Sequence, residues 1–300
     1  MTEKIVGNCP HCGKRLEIPG DLQEFSCLYC GQRTHIDLLR AQESFREEDL
    51  RELASQLPQT LREHSELFKH MNRQDYVPTF EAYEKEHSVL LRRVDLAVSS
   101  APMGVNDATR LVCQVFMDTL SKDLKEVKGR RSSQLLYELK VAIALFLTPL
   151  VRKLNLRMAE PFRKELHSCW MEHYPNENWT AGDYDQIAGG FRRKGLCFIT
   201  TATCAHEGKP DDCAELTAFR AFRDGWLLEN GGAELIREYY DIAPSLVTLM
   251  EHCDTADRCY EEIRCRWLEP CLEALEKQEY SACKACYMDM VLTLKERYLQ

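Results

Sequence analysis

The chain has 300 residues, 44% of them apolar and 29% charged, with a net charge of −9. That length fits one large domain or two to three smaller ones, and the composition excludes a disordered tail. The charge is uneven. Residues 195–300 carry 11 Lys and Arg against 20 Asp and Glu, while the first 194 balance at 28 against 28; an acidic C-terminal third argues against its tracking a phosphate backbone.

The opening MTEKIVGNCP is polar and reaches its first cysteine before the apolar stretch of a signal peptide could form. The apolar run VAIALFL, Val141 to Leu147, meets Pro149 and is too short to span a bilayer. The expected compartment is the cytoplasm. In a reducing cytosol the 15 cysteines are metal ligands, buried thiols or redox groups, not a disulfide scaffold.

The first element in chain order is a pair of knuckles. Cys9, Cys12, Cys27 and Cys30 follow the pattern C-x2-C, fourteen residues, C-x2-C. Two residues between thiols let one tight turn aim both sulfurs at one point. Gly13 and Gly31 follow the second cysteine of each pair, where glycine tolerates positive φ. Four thiolates so placed suit a tetrahedral Zn²⁺ with no open position, a structural site; iron is the rival metal. LEI and THI read as short strands with PGD as a turn, which makes residues 1–37 a zinc ribbon. His11 inside the first knuckle reads as a solvent-facing residue. So small a module has little core, so the metal supplies most of its stability.

From residue 38 the pattern becomes helical. AQESFREEDLRELASQL is amphipathic and stops at Pro58. Phe80, Tyr83, His87, Leu90, Leu91, Val94 and Val98 recur at three- and four-residue steps, and SSAPMG breaks the chain. Asn106 or Asp107 caps the next run, which Gly129 ends; Ser132 or Ser133 caps another. Thr148-Pro149 begins a further helix or kinks the same one. Phe162, Leu166 and Trp170 continue the periodicity. Residues 38–190 therefore read as a helical bundle, with His87, Cys113 and Cys169 as core residues. The turn-rich stretch 174–195 marks the boundary with a helical domain over 191–300. The fold class is mainly α, behind a small β ribbon.

In the last domain, CFITTAT from Cys197, then DDCAELTAFRAFRDGWL, then EYYDIAP resemble the CFI-box family of C-terminal domains. Those begin on a Cys-Phe-Ile-x-Thr-Ala type segment, continue with Leu-x-x-Phe-Arg-x-Phe-Arg-Asp and close with Tyr-Tyr-x-x-x-Pro. The match runs from Cys197 to about Val247. It implies a shared fold for that segment and no established activity. Cys204 stands where the family commonly has tyrosine, which marks this thiol as optional.

Read from its residues, the segment places Asp212 as a helix N-cap, with Glu215 completing a capping box, and pairs Arg220 with Asp224 one turn on. Arg220 and Arg223 either hold carboxylates of the fold, with Glu238 or Asp241 as partners, or grip an anionic ligand; the first reading is preferred. Cys204, His206 and Cys213 have no usual ligand spacing for a second metal. Cys197 and Cys213 are candidate nucleophiles, Cys213 at a helix N-terminus with His206 as base, against a default of small packed side chains.

Cys253, Cys259, Cys265 and Cys271 are spaced by six. On a helix six residues turn about 600°, so neighbours diverge by roughly 120° and cannot share an ion. Cys283 and Cys286 form a further C-x2-C without a turn glycine, a half-site or redox pair at most.

Three functions are compatible with these features. The first is a cytosolic zinc-binding interaction or regulatory protein with a protein partner. The second is a thiol- or arginine-dependent enzyme, for which Cys213, Arg220 and Arg223 must converge on one pocket. The third is nucleic-acid binding through the ribbon, for which Lys14, Arg15 and Arg33 must form one basic stripe. They are preferred in that order.

Overall fold

The computed structural model describes residues 4–10, 14–40, 47–62, 67–72, 74–127, 129–192 and 197–299. It is mainly α-helical, with two small antiparallel sheets at the N-terminus. Strands β1 (Lys4–Asn8) and β2 (Arg15–Pro19) pair from Lys4 opposite Pro19 to Asn8 opposite Arg15; β3 (Glu24–Ser26) and β4 (Arg33–His35) pair through Phe25 and Thr34. The strands in LEI and THI are as expected. β1 and β3 were not legible, because KIVGN is short and EFS gives no more than one alternation. Leu16, Ile18, Phe25, Ile36 and Leu39 close a small core around Cys9 and Cys27. The alternation of exposed and buried residues along β2 turns Leu16 and Ile18 inward, as the period of a strand requires.

The helices follow as α1 (Asp37–Arg40), α2 (Glu47–Gln56), α3 (Gln59–Arg62), α4 (Tyr76–Ser100), α5 (Val105–Glu126), α6 (Arg130–Ala142), α7 (Thr148–Lys153), α8 (Ala159–His173), α9 (Tyr184–Arg192), α10 (Phe198–His206), α11 (Ala214–Phe222), α12 (Ala233–Cys253), α13 (Ala256–Ile263), α14 (Glu269–Glu276) and α15 (Tyr280–Tyr298). The expected apolar faces are realised: Phe80, Tyr83, Leu91, Val94 and Val98 are buried on α4, as are Val112, Phe116, Leu120 and Leu124 on α5. His87 is buried against the edge of the Tyr83 ring, 4.5 Å between centroids, and the Cys113 thiol faces the Phe162 carbonyl at 3.8 Å. Both are core residues.

Two expected caps are corrected. α5 starts after Gly104, which takes φ +85°, so Asn106 and Asp107 lie inside its first turn. α6 begins at Arg130, after Gly129 at φ +73°, and Ser132 and Ser133 are already helical. In both places a left-handed glycine reverses the chain earlier than a side-chain cap would.

Pro149 does not end the apolar run. A π-helical turn, Ile143–Leu147, joins α6 to α7 with the proline in the first turn of α7. By length and composition alone the continuous segment Arg131–Lys153 could cross a membrane, but 72% of its apolar window is buried inside the protein, as in a core helix. Two more π-helical turns, Arg223–Leu227 and Arg264–Leu268, follow α11 and α13.

The chain divides into two compact units: residues 1–65, 81–139 and 146–176 form one, and 66–80, 140–145 and 177–300 the other. In the first, α5 packs on α2 and α8, and α1 on the ribbon. In the second, the short inserts are tied by backbone: the Tyr76 hydroxyl donates to the Leu145 carbonyl at 3.1 Å, and the Gly182 amide to the Ala144 carbonyl at 2.8 Å. α10, α12, α13 and α15 then form the body of that unit.

Candidate functional site

The ribbon brings Cys9, Cys27 and Cys30 together, with all three sulfurs within 4.8 Å of one another. Cys12, His11 and Gly13 lie outside the described residues. Each visible cysteine is placed by a turn. The Cys9 amide bonds the Lys14 carbonyl and the Cys27 amide the Gln32 carbonyl, closing each knuckle, while the Gly31 amide reaches the Cys27 carbonyl at 2.8 Å. Gly31 takes φ +72°, the left-handed conformation expected of the residue after the second knuckle.

The separations fit a metal. Four sulfurs placed tetrahedrally at about 2.3 Å from zinc stand about 3.8 Å apart. Cys9 and Cys30 stand 3.8 Å apart, far beyond the roughly 2.05 Å of a disulfide. The Tyr29 amide points at the Cys27 sulfur at 3.4 Å. Burial pushes the Cys27 thiol up, but the amides of Cys30 and Tyr29 and the thiols of Cys9 and Cys30 outweigh it and bring its pKa to about 6. An acidified thiol among converging sulfurs is the chemistry a soft or borderline divalent ion requires. The apex of the knuckle is open: Leu28 is 87% and Tyr29 65% exposed.

A second locus lies within the C-terminal unit, where Cys197, the helix through Phe219 to Arg223 and the helix bearing Tyr239 converge. A cavity of about 100 Å³ is lined by Cys197 ahead of α10, Phe219, Phe222 and Arg223 of α11 and its π-turn, and Tyr239 and Ile242 of α12, with α15 as the fourth wall. The Tyr239 hydroxyl caps α10 by accepting from the Ile199 amide at 3.0 Å, and the Tyr287 hydroxyl donates to it at 3.2 Å and contacts Thr200 at 3.2 Å. Gly232 is required at the α11–α12 connection, because a Cβ there would sit 2.5 Å from the Leu227 carbonyl oxygen.

Arg223 holds Asp224 with both arms at 2.6 Å and donates to the Tyr240 hydroxyl at 2.7 Å and to the Cys197 sulfur at 3.4 Å. Arg220 instead reaches back to Asp211, at 2.6 Å to its carboxylate and 2.7 Å to its carbonyl. Internal pairing is therefore the outcome, with different partners from those expected: Asp224 goes to Arg223, and Glu238 goes to Lys295 at 3.1 Å. Asp212 is not a cap, since Cys213 precedes α11, and Glu215 binds Lys209 at 2.5 Å.

Of the candidate catalytic residues, Arg223 and Cys197 line the cavity; Cys213 and Arg220 do not. Burial pushes the Cys197 thiol up, against the pull of Arg223 and Arg220. Cys204 is pushed up to about 12 by burial and by its hydrogen bond with Cys213. His206 is occupied elsewhere, 3.3 Å from Asp257 and tilted on the Tyr260 ring. Cys197 beside Arg223 was not singled out as a pair, since 26 positions separate them; the contact of Arg223 with Tyr240 was likewise invisible.

The ladder diverges as helix geometry requires. Cys253, Cys259 and Cys271 are buried while Cys265 is exposed, and Cys259 meets the Tyr298 hydroxyl at 3.2 Å. Cys283 shares a hydrogen bond with Cys271, and Cys286 faces the Trp267 carbonyl at 3.6 Å. No disulfide joins the described cysteines, and among the described residues the ribbon trio alone closes like a metal site.

No protein-family model, no curated protein and no solved structure matches this chain.

Proposed function

We propose that residues 1–37 are a zinc ribbon in which Cys9, Cys12, Cys27 and Cys30 enclose one structural Zn²⁺, and that the chain is a cytosolic interaction or regulatory protein whose partner is another protein. The observation that carries this reading is the 3.8 Å separation of the Cys9 and Cys30 sulfurs beside Cys27, the spacing of ligands around a tetrahedral ion. Cys12 is assigned as fourth ligand from its place in the first C-x2-C. A site closed by four thiolates leaves no position for substrate, so its contribution is to hold a surface. The surface it would hold includes Leu28 and Tyr29, which stand out from the second knuckle as protein-contacting apolar and aromatic groups do. The resemblance of residues 197–247 to the CFI box is supported by the meeting of its three segments around one cavity.

The alternatives have less behind them. An enzyme using Cys213, Arg220 and Arg223 needs them in one pocket, and two of the three lie elsewhere. A basic stripe on the ribbon needs Arg33 free, yet it binds Glu24 at 2.7 Å. Metal analysis of freshly purified protein is the test. One zinc per chain, falling in the Cys12→Ser and Cys27→Ser variants, is the expected result. Iron in place of zinc, or no metal with the ribbon still folded, overturns it.

A further inference from the structure

We infer that the cavity between α11, α12 and α15 is a binding site for a medium-chain carboxylate, with the alkyl tail among the apolar walls and the carboxylate on Lys284. The walls are Phe219, Phe222, Leu235, Ile242, Met288 and Val291, and the space they enclose is about 100 Å³. Apolar voids of this order stay dry and take apolar guests; one of about 150 Å³ holds a benzene ring. The space is smaller than that, so it takes about the last four carbons of a tail, and the open rim carries the rest of a chain of about eight carbons rather than that of a long-chain lipid. The cavity is not sealed. Leu292, on its rim, is 52% exposed, so a tail can enter while its head stays at the mouth.

Charge selects the head group. Four charged residues line the cavity: Arg223, Glu238, Lys284 and Lys295. Arg223 is engaged by Asp224 and Tyr240, and Lys295 by Glu238. Lys284 lines the cavity half-buried and makes no ion pair among the described residues. A cation at the edge of an apolar space is complemented by an anion carried on an apolar chain. A single ammonium is a point charge suited to a monoanion. The fork that would grip a phosphate in two-pronged fashion, that of Arg223, is already taken. The local backbone is built for the space as well. The π-helical turn Arg223–Leu227 sets both of its end residues on the cavity wall, and such turns concentrate at ligand sites.

The test titrates the intact chain with octanoate, octanol and octyltrimethylammonium, all below micellar concentrations, by calorimetry. Octanoate is expected to bind with one-to-one stoichiometry, octanol about tenfold more weakly and the ammonium not at all. Lys284→Gln should weaken octanoate about tenfold and leave octanol unchanged, because only the charged contact is lost. Val291→Trp fills the space and should abolish both; if circular dichroism shows that it does not fold, Lys284→Gln decides alone. No octanoate binding to the folded wild-type chain, equal affinity for octanoate and octanol, or indifference of octanoate to Lys284→Gln each overturns the assignment.

Discussion

In the ribbon, Cys9 and Cys30 come from separate knuckles and place their sulfurs 3.8 Å apart, with an acidified Cys27 beside them. In the C-terminal unit, Cys253, Cys259, Cys265 and Cys271 recur with greater regularity and yet go four ways: Cys259 meets a tyrosine, Cys271 meets Cys283, Cys265 is exposed and Cys253 is buried. The difference lies in the backbone between the thiols. A C-x2-C on a turn, finished by a left-handed glycine, folds both sulfurs toward one point. A six-residue step on a helix turns each thiol away from the last. Regular spacing in sequence is thus a metal signal only once the local structure is known. Burial separates the groups further, since desolvation pushes the thiols of Cys253 and Cys259 up, Cys253 to about 12.

The sharpest way to break this contrast is to chelate the ion that the ribbon is proposed to hold. Chelation of the zinc-loaded chain should abolish amide exchange protection in β1 to β4, because an ion in such a site contributes on the order of 10 kcal/mol to a module with so small a core. Protection in α10 to α15 should stay. Iodoacetamide should reach Cys265 in the native protein and leave Cys253 and Cys271 untouched, with the ribbon thiols becoming reactive only after chelation. Equal loss of protection in both regions, or none in the ribbon, would show that the contrast is wrong.

Large effects in the helical unit should come from packing instead. Trp267 is 1% exposed, donates its indole NH to Asp289 at 2.8 Å and carries the Arg266 guanidinium 4.4 Å from its ring centre. Trp267→Ala should cost about 3–5 kcal/mol in denaturant unfolding of that unit, with zinc content unchanged. A smaller loss is expected at the cavity. Tyr239→Phe removes the acceptor of the Ile199 amide and a partner of Tyr287, and leaving those donors unmet should cost about 1–3 kcal/mol.

These two residues also show how much the sequence could tell. Trp267 shows nothing in RCRWL that separates it from any exposed tryptophan, since its burial is decided by α15, which follows twelve residues later. Tyr239 was expected to pack, and it does, but its hydroxyl contacts depend on pairings 40 and 48 residues apart. By contrast the convergence of Cys9, Cys27 and Cys30 was legible, because a knuckle is a local object whose geometry two intervening residues and a glycine specify. The helices were legible for the same reason, their apolar period being local, while their first residues were misplaced wherever a glycine turn supplanted a cap. The cavity was illegible because it is a remainder: what four helices leave unfilled when each has satisfied its own neighbours.

The smallest expected effect concerns pH and separates carboxylates from thiols as guardians of the helical unit. Asp254 is partly buried, which raises its pKa, but hydrogen bonds from the Tyr298 hydroxyl and the Thr255 amide, both at 2.7 Å, outweigh burial and hold it below the usual carboxylate range. A group whose folded pKa is depressed contributes stability above its unfolded value, about 3.9, and that contribution is lost as pH falls through the folded value. Asp254→Asn keeps an acceptor for Tyr298 and removes the titration. The variant should therefore unfold at a denaturant midpoint slightly lower than wild type at pH 6, and the two midpoints should converge as pH falls below about 3.9. Since Tyr298 also contacts Cys259, a midpoint difference that instead grew above pH 8 would place the pH sensitivity on the thiol and not on the carboxylate.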